Sequence, residues 1–117
     1  MEEPKCKFLF LVPQEYCTGE TFNPTCSPGE VVVMKKALYG RMRMGRCLRK
    51  NYGYLGCFAD VLSLMNSHCS GKQTCQISVT DAIFGDIDHC PLELENYLEV
   101  SYACVKGTAC VIFEFAS

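Results

Sequence analysis

The 117-residue sequence contains no tryptophan, no C-x-x-C pair and no apolar run near the length of a membrane helix. It also lacks a large excess of either charge and an open N-glycosylation sequon. Each absence excludes something. Without C-x-x-C there is neither thioredoxin-like redox chemistry nor the common zinc ribbon. A membrane helix needs about 20 apolar residues, and the longest such stretch near the N-terminus runs only from Phe8 to Val12. That stretch is also too short for the apolar region of a secretory signal and has no small-residue cleavage site after it. A net charge of −2 supplies no global attraction to nucleic acid. The one Asn-x-Thr, Asn23-Pro24-Thr25, is blocked by its proline. The signatures G-x-S-x-G, H-E-x-x-H and the P-loop are missing, so no catalytic residue is assigned and the chain is read as no enzyme.

What is abundant is cysteine, ten residues in 117, beside an ordinary hydrophobic share of 49%. This composition describes one small domain held by disulfides in an oxidising compartment. The expected localisation is therefore extracellular. The signal peptide is expected upstream of Met1, with the domain forming part of a larger secreted or membrane-tethered protein. The even count suits complete pairing, but spacing alone leaves hundreds of connectivities open. His68 precedes Cys69 and His89 precedes Cys90, yet neither pair has the two-plus-two spacing of a zinc site. Asp86 and Asp88 share a loop without calcium-loop spacing. Neither a metal nor a cofactor is expected.

Periodicity gives an α+β reading. Residues 5–12 are apolar on both faces and read as a buried strand stopped by Pro13. Residues 30–38 are β-branched between Gly29 and Gly40, residues 75–80 alternate, and 97–105 place Leu98, Val100, Tyr102 and Cys104 on one face. Residues 109–115 read as a closing strand. In 57–68 the period changes: Phe58, Val61, Leu62 and Met65 form a helical stripe, and Asp60 suits the first turn. Residues 40–56 and 84–96 read as long loops. The expected fold is a compact, disulfide-rich α+β domain of antiparallel strands with one main helix, 57–68, and extra strands at both termini.

The charges are segregated. Lys35, Lys36, Arg41, Arg43, Arg46, Arg49 and Lys50 hold seven of the eleven basic residues, and Asp81, Asp86, Asp88, Glu93, Glu95 and Glu99 hold six of the thirteen acidic ones. Two readings follow. Either the stretches are solvated loops that face each other, or the basic stretch is a patch for an anionic glycan or an acidic protein surface.

Four motifs occur in order: Ala37-Leu38-Tyr39-Gly40-Arg41, Cys69-Ser70-Gly71-Lys72-Gln73-Thr74-Cys75, Phe84-Gly85-Asp86, and Tyr97-Leu98-Glu99-Val100-Ser101-Tyr102-Ala103-Cys104. Together they resemble the A-x-Y-G-R, C-x-G-K-x-x-C, F-G-D-P-C and Y-L-x-V-x-Y-x-C motifs of the SUEL-type lectin domain, also called the rhamnose- or galactose-binding lectin domain. The resemblance covers residues 17–105, with 1–16 and 106–117 as strand-bearing extensions. It implies the bridges Cys17–Cys47, Cys26–Cys104, Cys57–Cys90 and Cys69–Cys75. Cys6 and Cys110 are left for each other, which would join the terminal strands as a ribbon.

The resemblance also implies a shallow monosaccharide site. Its members use a Glu after the first cysteine, the Tyr of Y-G-R, the Asp of D-P-C, and a Gly and a Lys beyond it. Tyr39 stands at the tyrosine position, beside Arg41. Thr18 replaces the glutamate, with Glu20 two residues on. Asp86 or Asp88 serves as the aspartate, and Asn96 replaces the lysine. No glycine occurs in 91–95. The candidate ligand-binding residues are therefore Glu20, Tyr39, Arg41, Asp86, Asp88 and Asn96. The scaffold is retained while the sugar contacts are rewritten, which points to an extracellular recognition or adhesion module that binds protein. Met42, Met44, Tyr52, Tyr54, Leu92 and Leu94 are candidate contact residues in its loops. The alternative is a working lectin of altered monosaccharide specificity.

Overall fold

A computed structural model of the chain describes residues 12–49, 55–84, 90 and 94–106. The strands expected at 5–12 and 109–115, and the Cys6–Cys110 bridge, lie outside the described residues. In chain order the elements are β1 (Gln14–Cys17), β2 (Thr21–Phe22), β3 (Glu30–Arg41), β4 (Cys57–Asp60), α1 (Leu62–Cys69), β5 (Ile77–Ser78), α2 (Asp81–Phe84) and β6 (Tyr97–Lys106). An antiparallel four-stranded sheet has the order β1-β6-β3-β4, and β2 and β5 form a second, two-stranded sheet. This is the expected α+β architecture.

The long central pair β3–β6 follows from β-branched and aromatic residues in both strands. A turn precedes β3: Gly29 takes φ 87°, and Glu30 donates its N–H to the Ser27 carbonyl at 2.9 Å. The β3–β6 register shifts between Met34 and Lys36, a β-bulge with Lys35 as the extra residue. On the core face lie Val32 and Met34 before the bulge and Ala37 and Tyr39 after it, with Leu98 and Val100 opposite them. They pack with Phe22, Val61, Met65, Val79 and Phe84 into the main core. Burying each such side chain contributes about 1.5–3 kcal/mol.

The helix is shorter than expected. The expected stripe begins at Phe58, but residues 57–60 form β4, and Phe58 is 45% exposed. Local pairing outweighs periodicity here. Leu38–Arg41 pair with 57–60, and Cys57 is bridged to Cys90. The Asp60 carboxylate accepts the Leu62 N–H at 2.9 Å, and the Val61 N–H is taken by the Ala37 carbonyl at 2.9 Å, so the helix starts only at Leu62. Val61 and Met65 then enter the core. The alternation expected over 75–80 yields only the two-residue β5, because its partner β2 is equally short. A short helical turn, α2, follows where sequence gave no signal.

All four bridges implied by the family resemblance are present: Cys17–Cys47, Cys26–Cys104, Cys57–Cys90 and Cys69–Cys75. The Cys69–Cys75 loop is fastened to β3, since Val32 and Gly71 donate to the Lys72 and Val32 carbonyls at 2.7 and 2.8 Å.

Candidate functional site

Strand register assembles the candidate site at one end of the four-stranded sheet. Tyr39 pairs across to Leu98 and Ala59, and Leu98 pairs to Tyr16. Continued by one residue on each side of β6, the registers place Thr18 opposite Asn96 and Asn96 opposite Arg41, and Arg41 is paired with Cys57. Thr18, Asn96, Arg41 and Cys57 therefore form the last row of the sheet. Tyr39 and Arg41 share the core face, because side chains alternate along a strand.

The chemistry of that row is turned inward. The Thr18 hydroxyl donates to the Asn96 carbonyl at 2.7 Å. Tyr39 is fully buried and stacks on Phe84 with ring centroids 4.6 Å apart and planes at 24°. This stack joins the Y-G-R and F-G-D motifs through their aromatic residues. Arg41 is only 1% exposed, and its Nη1 donates to the Glu95 carbonyl. Asn96 is buried too.

Glu20 is not part of this row. Its Oε1 accepts the Cys17 N–H at 2.6 Å. Both its oxygens are held by Arg46, whose Nη1 and Nη2 each donate at 2.9 Å. These bonds, the arginine first and then the backbone N–H, hold the Glu20 carboxyl below the ordinary glutamate range. The same carboxylate raises the Arg46 guanidinium above its usual value. Asp86 and Asp88 lie outside the described residues. Tyr39, Arg41 and Asn96 are thus brought together, and Glu20 is engaged elsewhere.

The opposite face of the same sheet end carries an arrangement that sequence alternation did not reveal. Glu15, Glu99, Leu38 and Asp60 form one row, and Cys17, Tyr97, Gly40 and Phe58 the next. Glu99 is 1% exposed, although alternation placed it on the face away from the apolar residues of β6. Residues 42–48 fold back over it. Arg43 donates to Glu99, and Lys36 stands 3.6 Å from the other carboxylate oxygen. The Arg43 N–H donates to the Tyr97 hydroxyl at 3.0 Å, and that hydroxyl donates back to the Arg43 carbonyl at 3.3 Å. Burial raises the Tyr97 phenol above its usual range. Met42, Cys47 and Leu48 pack on Tyr97, and the Cys17–Cys47 bridge pins the loop.

Most of the described basic stretch is therefore engaged internally, which is the loop-pairing reading of the charge segregation. Separation in sequence hid it: Arg43 and Glu99 are 56 residues apart. The expected contact residues divide. Met44 is exposed, Met42 and Leu94 are half-buried, and Tyr52, Tyr54 and Leu92 lie outside the described residues. His68 caps its own helix turn, with Nδ1 3.0 Å from the Leu64 carbonyl. Cys17, Glu20 and Cys47 converge, but both sulfurs are already spent in a disulfide.

Residues 25–104 match the family model of the D-galactoside/L-rhamnose binding SUEL lectin domain. The chain is 33% identical over 96 residues to Latrophilin Cirl of Drosophila ananassae, covering 78% of this chain and 5% of that protein. It is 28% identical over 102 residues to the D-galactoside-specific lectin of Heliocidaris crassispina, covering 80% of this chain and 90% of the lectin. It is 33% identical over 98 residues to the L-rhamnose-binding lectin CSL1 of Oncorhynchus keta, covering 81% of this chain and 32% of that lectin. The chain thus spans about one twentieth of the length of the latrophilins it matches. The chain belongs to the SUEL lectin domain family, whose members are non-catalytic recognition modules of the extracellular space.

Proposed function

We propose that this SUEL-family domain is the recognition module of a larger secreted or membrane-anchored protein, and that its ligand is an extracellular protein rather than a monosaccharide. The observation that carries the reading is the Glu20–Arg46 pair. The carboxylate nearest in sequence to the family's glutamate position has both oxygens occupied by a guanidinium and a backbone N–H. Thr18, at that position, spends its hydroxyl on the Asn96 carbonyl. A sugar entering here would leave hydroxyls poorly paired, at about 1–3 kcal/mol each. Millimolar binding amounts to only about 4 kcal/mol in total. The exposed side chains of Met44, Leu55 and Phe58 supply apolar surface suited to protein contact.

The second reading, a lectin of altered specificity, draws support from the names of two relatives, a D-galactoside-specific and an L-rhamnose-binding lectin. A glycan array and an extracellular-protein interaction screen, run on the same purified domain, separate the two. Saturable binding to a protein, insensitive to free monosaccharide, is the expected result. Glycan binding that galactose or rhamnose competes away, and that Tyr39→Phe or Asp86→Ala abolishes, would replace the first reading with the second.

A further inference from the structure

On the face turned away from the main core, β6 carries Tyr97, Glu99, Ser101, Ala103 and Val105, and all five are buried. The 42–48 loop covers Tyr97 and Glu99. At the other end of the same face Ala103 pairs with Val33 and Val105 with Val31, which makes an apolar patch. Val33, Ala103 and Val105 are 0%, 3% and 8% exposed. Yet the one described apolar side chain packed on them is Val31, their own neighbour in the sheet. Side chains that stand on a sheet stay wet until a second layer covers them.

Five stretches lie outside the described residues, and three of them begin and end at the candidate-site end. Residues 50–54 are flanked by Leu48, which packs on Tyr97, and by Gly56, whose N–H donates to the Arg41 carbonyl. Residues 85–89 and 91–93 are tied by Phe84 on Tyr39 and by Cys90 on Cys57. Val33 stands about 25 Å from Arg41 along β3, at about 3.3 Å per residue. Five residues anchored at both ends reach only about 10 Å out and back. The two ends of the chain are better placed. β1 runs from Gln14 opposite Val100 to Cys17 opposite Tyr97, so the chain enters it from the Ala103 and Val105 side. β6 ends at Lys106, one residue past Val105. Both ends carry large apolar residues, Phe8-Leu9-Phe10-Leu11 and Val111-Ile112-Phe113.

We infer that this patch is a docking surface for the chain's own two ends, with residues 5–11 and 109–115 laid over Val31, Val33, Ala103 and Val105 as one ribbon. Cys6 and Cys110 fall within these segments, so a bridge between them would fasten the ribbon to itself. Three valines and an alanine are too small a surface to hold a second copy, since a stable interface takes about 800 Å² from each partner. A tethered segment has no such requirement, because its effective concentration is about millimolar. The inference holds whichever ligand the domain takes, and it closes this part of the sheet to partners.

Methyl NOESY spectra of the full 117-residue chain test this, with a second sample of differently labelled copies mixed to mark contacts between molecules. The expected result is contact, within one molecule, from the Val33, Ala103 and Val105 methyls to those of Leu9 or Leu11 and of Val111 or Ile112. Contact with neither end would overturn the inference. So would contacts seen only between differently labelled copies, because the occupant would then be a second molecule. A Leu11→Asp/Ile112→Asp variant adds a second readout. Its Val33 and Ala103 methyl signals are expected to move and its binding of the apolar dye ANS to rise severalfold, while the Tyr39 and Phe84 signals keep their wild-type positions. Val33 and Ala103 signals that stay in place in the folded variant would also overturn the inference. If the variant fails to fold, the wild-type contacts alone decide.

Discussion

Arg41 and Arg43 stand two residues apart at the end of β3, and the sheet separates their environments. Arg43 keeps its side chain 55% exposed and touches a buried carboxylate. Arg41 is buried and touches a carbonyl. On the Arg43 face the charges are balanced within the chain, and a loop locked by Cys17–Cys47 covers them. On the Arg41 face a cation is enclosed without a carboxylate among the described residues. The first face is balanced by the chain's own carboxylates, whereas on the second the described residues supply a backbone carbonyl alone. Self-sufficiency of charge, rather than its density, separates them.

The change expected to break both faces at once is Gly40→Ala. A Cβ on Gly40 would lie 2.3 Å from the Cys57 carbonyl oxygen and 2.6 Å from the Phe58 Cα, both backbone atoms, and the residue sits at φ +150°. Neither neighbour can move without parting β4 from β3. The expected loss is about 3 kcal/mol or more in urea unfolding. An unchanged midpoint would show that the two strands are not held this closely.

Glu99→Gln tests the balanced face. Arg43 and Lys36 would lose their shared counter-charge and the Arg43 bond would weaken. Because both cations reach solvent, the expected cost is about 1–2 kcal/mol in thermal unfolding. Arg41→Met tests the other face. Because the buried cation meets a carbonyl and no carboxylate among the described residues, a similarly sized apolar side chain should leave stability unchanged or raise it by up to about 1 kcal/mol. A loss of several kcal/mol would make Arg41 an ordinary strut for Glu95 and erase the contrast.

The smallest effect is expected from Glu20→Gln, within about 0.5 kcal/mol at neutral pH, since the Glu20–Arg46 pair is largely exposed. Its sign is fixed. The folded-state Glu20 carboxyl is held low by Arg46, so the pair stabilises at neutral pH and that contribution fades as pH falls below the ordinary glutamate range. Wild type and variant should therefore converge in acid-titrated melting curves. Curves that diverge as pH falls would contradict the pairing.

Several of these features were legible in sequence, for identifiable reasons. The strand at 97–105 was clear because Leu98, Val100 and Tyr102 alternate with polar residues, and β6 indeed runs Tyr97–Lys106. The four bridges came through family resemblance, since spacing could not select them. The helix start was misplaced because Phe58 happened to fall in phase with Val61 and Met65, while the pairing of 57–60 with β3 acts only in three dimensions. Glu99 looked solvent-facing because alternation tells which face a residue is on, not whether a loop lies over that face. Of the candidate ligand-binding residues, the strand registers bring Tyr39, Arg41 and Asn96 to one end of the sheet. Glu20 was placed among them because sequence proximity to Thr18 concealed its partner Arg46. Asp86 and Asp88 fall outside the described residues.

The bulge at Lys35 governs more than local twist, because it sets the parity of the strand. Before it, even-numbered residues face the core; beyond it, odd-numbered residues do. Were the same sequence paired regularly through Lys35, with no bulge, the alternation begun at Val32 and Met34 would carry Leu38 and Gly40 inward and turn Tyr39 and Arg41 out beneath the 42–48 loop. The site and the covered face would exchange contents while every side chain stayed the same. One residue with its own side chain in solvent thus decides which side chains the sheet presents on each of its faces.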